Sequence, residues 1–288
     1  MKLHALKHEE NFNSQPSVTI EPNAADIHLP APDTHNGIRV SLVRDLTVAE
    51  RDSMYSLLGE YYLHVSRQQF ERDLAEKEWV VLGTDPISQK AWCFSTLMRL
   101  HATMDGERIL ALYSGDTVAR KESWGGQSTP AVRMLVQLMY GIAAESAVQR
   151  AYWFMISSTY KSYRLLPMLF RKFYPSPNSR RSKQAERVLG ELSELKHFVY
   201  DPERSIVRFS NPTVFRPGIT ENTDAASDPY ISFYEIRNPG ASQGDRLASL
   251  TELSADNLTA LGQRFVRSRT DGTAGRTDNH AEAPVSRR

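Results

Sequence analysis

The sequence predicts one α/β domain, a mixed and mostly antiparallel sheet flanked by helices with a C-terminal extension, set between two tails. Three observations predict it. Segments of period two alternate with segments of helical period across residues 37–268. Three of the strand-like segments follow each other closely enough to be hairpins. Residues 1–36 and 269–288 are polar, charged and without lasting periodicity, so they bury too little apolar surface to offset chain entropy and are expected to be disordered.

The elements follow in order. Ile38, Val40 and Leu42 alternate with polar residues as a half-buried strand does. Thr47-Val-Ala-Glu50 is a capping-box pattern, and the helix it starts carries Met54, Leu57, Leu58 and Tyr61 on one face. A second helix is expected over Arg67 to Lys77, with Phe70 and Leu74 inward. Strands are expected over Trp79 to Gly83, Ala91 to Leu100 and Arg108 to Val118, the last following a Met-Asp-Gly turn at Met104 to Gly106. Gly115 interrupts the third of these as a bulge would.

A polar loop from Ala119 to Thr129 leads to Pro130, suited to the first turn of a helix because its missing N–H is not needed there. Val132, Leu135, Val136, Met139, Ile142 and Ala143 give that helix its buried face. Tyr152 to Ile156 is an unbroken apolar run, as in a buried central strand. A helical stretch kinked near Pro167 is expected from Tyr160 to Phe173, then a loop over Ser176 to Arg181 and a surface helix over Ser182 to Leu195. Two short strands should flank Asp201-Pro202, and Asn211 to Asp228 reads as irregular. Tyr230 to Ile236 reads as a strong strand, Leu247 to Leu253 as a short one, and Ser254 to Arg267 as a closing helix.

Composition excludes several function classes. The 288 residues carry 35 Lys and Arg against 34 Asp and Glu, so no charge imbalance points to nucleic acid. Cys93 is the single cysteine, which rules out an intrachain disulfide framework and a Cys-rich zinc site. The histidines are scattered, and no metal is expected. No segment approaches the roughly 20 apolar residues of a membrane-spanning helix, and the first residues lack the apolar core of a signal peptide. A cytoplasmic protein is expected. Gly-x-Ser-x-Gly and Walker-type loops are absent.

The loop Arg120-Lys-Glu-Ser-Trp-Gly-Gly-Gln-Ser-Thr129 combines chemistry that suits an anion. Gly125 and Gly126 let backbone approach a ligand, Ser128 and Thr129 can cap the following helix, and Arg120 and Lys121 add positive charge. The same residues also serve a plain strand-to-helix turn.

The order strand, two helices, three antiparallel strands, loop, helix, strand, helix resembles the GNAT acyltransferase superfamily, over Ile38 to Tyr174 well and to Arg267 loosely. The resemblance implies an acyltransferase that moves an acyl group from a thioester donor to an amine-type small-molecule acceptor by direct attack. It also implies that the fourth and fifth strands splay apart to admit the donor. The family's loop is Arg/Gln-x-x-Gly-x-Gly/Ala; the spacing at Arg120 to Thr129 departs from it. The donor is therefore open between acyl-CoA and an acyl-phosphopantetheine on acyl carrier protein, which needs fewer phosphate contacts. Family members often present a tyrosine to the leaving sulfur from the helix after the fifth strand; Tyr160 and Tyr163 start that helix here, and Tyr163 is the candidate acid. Asp116 and Glu122 are candidate bases near the strand ends, with His101 a further option. Glu122 reads equally as a solvated charge, and a tyrosine in such a helix commonly just packs its ring. A non-catalytic module of the same fold, binding a ligand or a protein, is the competing expectation.

Overall fold

A computed structural model describes residues 23–123, 129–178, 181–219 and 228–267. Its main sheet has eight strands: β1 (Ile38–Leu42), β3 (Trp79–Thr84), β4 (Ala91–Met104), β5 (Glu107–Ala119), β6 (Arg150–Ser157), β10 (Arg246–Glu252), β8 (Ile206–Arg208) and β7 (Val199–Asp201), in that spatial order. Neighbours are antiparallel except β5 and β6, which run parallel. The expected fold class is thus observed: a mixed, mostly antiparallel sheet flanked by helices.

Alternation decides which helices cover which face. Trp79, Val81, Leu97, Leu110, Leu112 and Trp153 pack under α3 (Thr129–Glu145) with residues of α5 (Leu165–Leu169) and α8 (Ala260–Val266). On the opposite face Val80, Leu82, Phe94 and Val118 meet α1 (Val48–Tyr61) and α2 (Arg67–Ala75). Farther along that face Tyr113, Tyr152, Phe154 and Ala248 meet α6 (Lys183–Leu195). Two helical clusters therefore share one face, with an interval between them.

The capping box forms as expected: the Glu50 amide donates to Thr47 Oγ1, and the Thr47 amide donates to the Glu50 carboxylate. The bulge forms too. Ser95 pairs with Thr117 and Leu97 with Ser114, so Thr96 alone stands opposite Gly115 and Asp116. The β5–β6 ladder runs from Ile109↔Arg150 to Ser114↔Met155 and then stops, while β5 continues to Ala119.

Some expectations are corrected. Tyr230 to Ile236 is no strand but the body of α7 (Pro229–Arg237), because Asp228 accepts from the Tyr230 and Ile231 amides and Pro229 sits in the first turn. Ile231 and Tyr234, three apart, are its buried residues. The stretch expected to be one kinked helix from Tyr160 to Phe173 is two short ones, α4 (Tyr160–Tyr163) and α5, separated at Arg164; α5 ends at Leu169, and Phe170 bridges to Leu258. The irregular Asn211 to Asp228 segment holds a strand, β9 (Val214–Phe215), paired with β2 (Tyr62–Leu63). Residues 23–36, assigned to the tail by composition, pack on the domain: Ile27 is only 4% exposed and Asp33 pairs with Ile38.

Candidate active site

The end of the β5–β6 ladder creates an opening, and the bulge places Asp116 in it. In β5 the side chains of Ile109, Ala111 and Tyr113 face α6, and the extra residue of the bulge shifts the alternation so that Val118 meets α1 and α2 instead. Asp116 falls in the interval between these clusters. Its carboxylate makes no hydrogen bond or ion pair among the described residues. Water reaches it, yet burial pushes its pKa above the ordinary aspartate value. The carboxylate is exposed, so it is the protein packed beside it, and not enclosure, that raises the pKa. Lys77 and Arg246 pull the other way and favour the ionised form, while Asp73 opposes it.

Three further groups converge there. Tyr62 is 9% exposed and its hydroxyl lies 3.1 Å from Ser158 Oγ, just beyond the end of β6. Burial raises its pKa first of all, and the Asp116 charge adds to that, so the phenol keeps its proton. Arg246, 7% exposed at the start of β10, donates to the Thr213 carbonyl at 2.6 Å and so ties the segment before β9 to the sheet. Lys77, between α2 and β3, donates to the Asp73 carbonyl at 2.7 Å and lies over the Tyr113 ring.

The mouth of the opening is basic. Lys161, in α4, has its pKa lowered by burial and then by the charge of Lys121, in the 3-10 turn after β5. Two ammonium groups from opposite sides of the opening thus feel each other, an arrangement that a multivalent anion relieves.

The expected site residues separate into groups. Asp116 lies on β5, Lys121 in the 3-10 turn that follows it, and Thr129 is the first residue of α3. Gly125, Gly126 and Ser128 lie outside the described residues. Arg120 and Lys121 do not offer backbone amides to a ligand: the Arg120 amide donates to the Trp92 carbonyl and the Lys121 amide to the Tyr61 hydroxyl. Their contribution is side-chain charge. Glu122 is exposed on a 3-10 turn, and His101 is exposed within β4 rather than at its end. Neither is brought to Asp116.

Tyr163 is placed where it cannot meet a leaving group. It is fully buried, its hydroxyl donates to the Pro175 carbonyl at 2.9 Å, and its ring packs against Phe173, Phe233 and Tyr234. Burial drives its pKa far up. The residue expected as an acid is a core tyrosine with a satisfied hydroxyl. Tyr163→Phe should therefore leave any turnover unchanged while costing about 1 kcal/mol of stability, the net worth of one buried hydrogen bond. Urea denaturation beside an activity assay checks both halves.

Sequence reasoning missed Tyr62, Lys77, Ser158, Lys161 and Arg246. Lys77 sits in Glu76-Lys-Glu78, which reads as a solvated turn, and Arg246 follows a Gly-Asp pair that reads as a loop. Their roles depend on contacts between residues far apart in the chain, and no spacing encodes those.

Among the described residues no group of three or more His, Cys, Asp or Glu side chains is set to hold a metal, and no helix is long and apolar enough to cross a membrane. No family model and no curated protein matches the chain. Among solved structures, it is similar to a conserved protein of Enterococcus faecalis V583 described as a probable N-acyltransferase, at 15% identity and a TM-score of 0.35, covering 47% of this chain and 33% of that one. It is similar to a GNAT family N-acetyltransferase from Escherichia coli in complex with CoA, at 12% identity and a TM-score of 0.32, covering 48% and 69%. A glucosamine-6-phosphate N-acetyltransferase from Arabidopsis thaliana gives 13% identity and a TM-score of 0.33, covering 51% and 97%. The chain thus spans one third of the length of the first of these.

Proposed function

We propose that the protein is a divergent GNAT-type acyltransferase that moves an acyl group from a thioester donor to an amine. The observation that carries this reading is the opening between β5 and β6, with a carboxylate held in it by a bulge. A thioester arm laid along residues 115–118 would lie beyond the last β5–β6 rung, Ser114↔Met155. Its phosphates point toward Lys121, Lys161 and the start of α3, where an anion is favoured.

In this reading Asp116 takes the proton from the attacking amine. An aspartate with a raised pKa is a stronger base than an ordinary one, and water-accessible placement lets the acceptor reach it. The amine attacks the thioester carbon, the tetrahedral intermediate collapses, and the carbon–sulfur bond breaks. Tyr62, protonated and paired with Ser158, supplies a proton to the departing thiolate. The donor is acyl-CoA or acyl-phosphopantetheine on acyl carrier protein, and the acceptor is a small amine.

Release of free thiol from acyl-CoAs of graded chain length and from acyl carrier protein, with a panel of amines, tests the reading. Amine-dependent thiol release with one donor class is expected; none with any donor, and no rise in melting temperature with any thioester, would sink it. Lys161→Glu should raise the donor KM about tenfold, the scale of one ~1.4 kcal/mol charge contact. The effect should shrink in high salt and leave kcat nearly unchanged. An unchanged KM would move the donor's phosphates elsewhere.

A second reading has one observation behind it. The Arg120 and Lys121 amides are already bonded within the protein, which suits a binding module that holds an anion by side chains alone. Donor binding without thiol release would select it.

A further inference from the structure

The opening contains a lysine that the acyl-transfer scheme does not use, and the bulge is shaped around it. Gly115 is the residue that makes room. A Cβ added there would come 2.7 Å from Lys77 Cε and 2.6 Å from Thr96 Oγ1, both far inside contact distance. Any side chain at 115 would expel the lysine from the notch. The lysine side chain is only 6% exposed. Burying an ammonium is costly unless partners repay it. Lys77 Nζ donates to the Asp73 carbonyl at 2.7 Å, lies 5.6 Å from the Tyr113 ring centroid, and approaches Glu76 at 3.7 Å. The carbonyl and the ring face both favour the charged form. Beside the notch, Thr96 Oγ1 is buried with no hydrogen-bond partner among the described residues, in a residue only 2% exposed.

We propose that Lys77 is a positioning residue: its ammonium, seated in the notch that Gly115 opens in β5, sets the charge of the neighbouring Asp116 carboxyl. The inference rests on Asp116 being the proton acceptor of the proposed reaction, and it extends that reading to the group that tunes the acceptor. The charged and titratable groups facing Asp116 are Lys77 from the turn after α2, Asp73 from α2, and Arg246 from β10, with the phenols of Tyr62 on β2 and Tyr113 on β5. Lys77 itself faces Asp73, Glu76, Asp116 and Lys196, the last just beyond α6 and also over the Tyr113 ring. Lys196 is ion-paired with Glu76, so that pair covers the lysine's far side.

The sign of the effect follows from charge: an ammonium beside a carboxylate favours its ionised form, as Lys77 does for Asp116 against burial and Asp73. Removing the ammonium leaves burial and Asp73 to dominate, so the proton is held to higher pH. The notch gives a second way to the same end: Gly115→Ala pushes the ammonium out without deleting its charge.

The test is a pH titration of the Asp116 side-chain carboxyl by 13C NMR in the full chain, for the native protein, Lys77→Met and Gly115→Ala. The Lys77→Met midpoint is expected about one pH unit higher, the scale of a single neighbouring charge, and the Gly115→Ala midpoint higher by less. An unchanged midpoint in a folded Lys77→Met protein overturns the proposal. If circular dichroism shows that Lys77→Met does not fold, Gly115→Ala decides: a raised midpoint supports the proposal and an unchanged one overturns it. The titration needs no turnover, so it stands apart from the acyltransferase reading. The acid limb of kcat/KM should move with the NMR midpoint, at an unchanged donor KM. A moved midpoint with a stationary limb keeps the hold of Lys77 on Asp116 and removes Asp116 from the role of base.

Discussion

If Asp116 is the base of the proposed reaction, Asp116→Asn should lower amine acylation by about 100-fold or more, the ordinary contribution of a general base, and leave thioester binding in place. The substitution removes the one atom that accepts the proton while keeping size and polarity. It disturbs little else, since the Asp116 carboxylate makes no hydrogen bond or ion pair among the described residues. The pH dependence of the proposed activity should carry the same signature. Burial raises the Asp116 pKa above the ordinary aspartate value, and only the ionised form accepts a proton. Activity should therefore fall with decreasing pH through a midpoint above the usual aspartate range, and the acid limb should vanish in Asp116→Asn. Glu122→Gln is the contrast: that carboxylate is exposed on the turn after β5, and its loss should change the rate less than about twofold. A rate profile that responds to Glu122 and ignores Asp116 would relocate the base. Thermal shift with the thioester donor separates lost chemistry from lost binding.

What the sequence reveals here is local, and what it hides depends on pairing between distant segments. The Thr47–Glu50 box, Pro130 in the first turn of α3, and the Gly115 bulge are each set by residues within a few positions, and each forms. The error at Tyr230 to Ile236 shows propensity losing to a cap. Aromatic and β-branched residues favour strand, yet Asp228 and Pro229 immediately upstream start a helix, and Ile231 and Tyr234 then bury together. That signal was present in the residues. The strand β9 is different: two residues, Val214 and Phe215, are strand only because Tyr62 and Leu63 pair with them from about 150 positions away. The site divides in the same way. Asp116 is visible because a glycine beside it breaks an apolar strand. Lys77 looks like a surface charge until β5 folds against it, and Tyr163 looks like an available hydroxyl until Pro175 takes it.

Trp153→Ala should be the most destabilising of the simple core truncations near the site, costing about 3–5 kcal/mol. Trp153 lies in the centre of β6, 1% exposed, between Leu112 of β5 and Thr251 of β10, with its ring edge-on to Phe170. Its removal leaves a cavity under α3 that neighbouring strands, fixed on both sides by ladders, cannot collapse to fill. The indole also donates from Nε1 to Ser114 Oγ at 2.8 Å, and both residues are buried. Ser114 belongs to the last rung of the β5–β6 ladder, Ser114↔Met155, so this bond ties the two strands where they begin to part. Trp153→Phe isolates it: most of the apolar area remains, and the Ser114 hydroxyl is left without its donor at a cost of about 1–3 kcal/mol. Adding Ser114→Ala removes the stranded hydroxyl, so the double variant should recover part of that loss, and a double-mutant cycle in guanidinium chloride reads the coupling. A coupling near zero would mean that Ser114 finds water instead of indole. A real coupling carries a functional consequence, because the rung above the opening sets how far β5 and β6 diverge below it. Trp153→Phe should then raise the donor KM more than it lowers kcat, since the donor's seat is disturbed while Asp116, two residues past that rung, keeps its bulge.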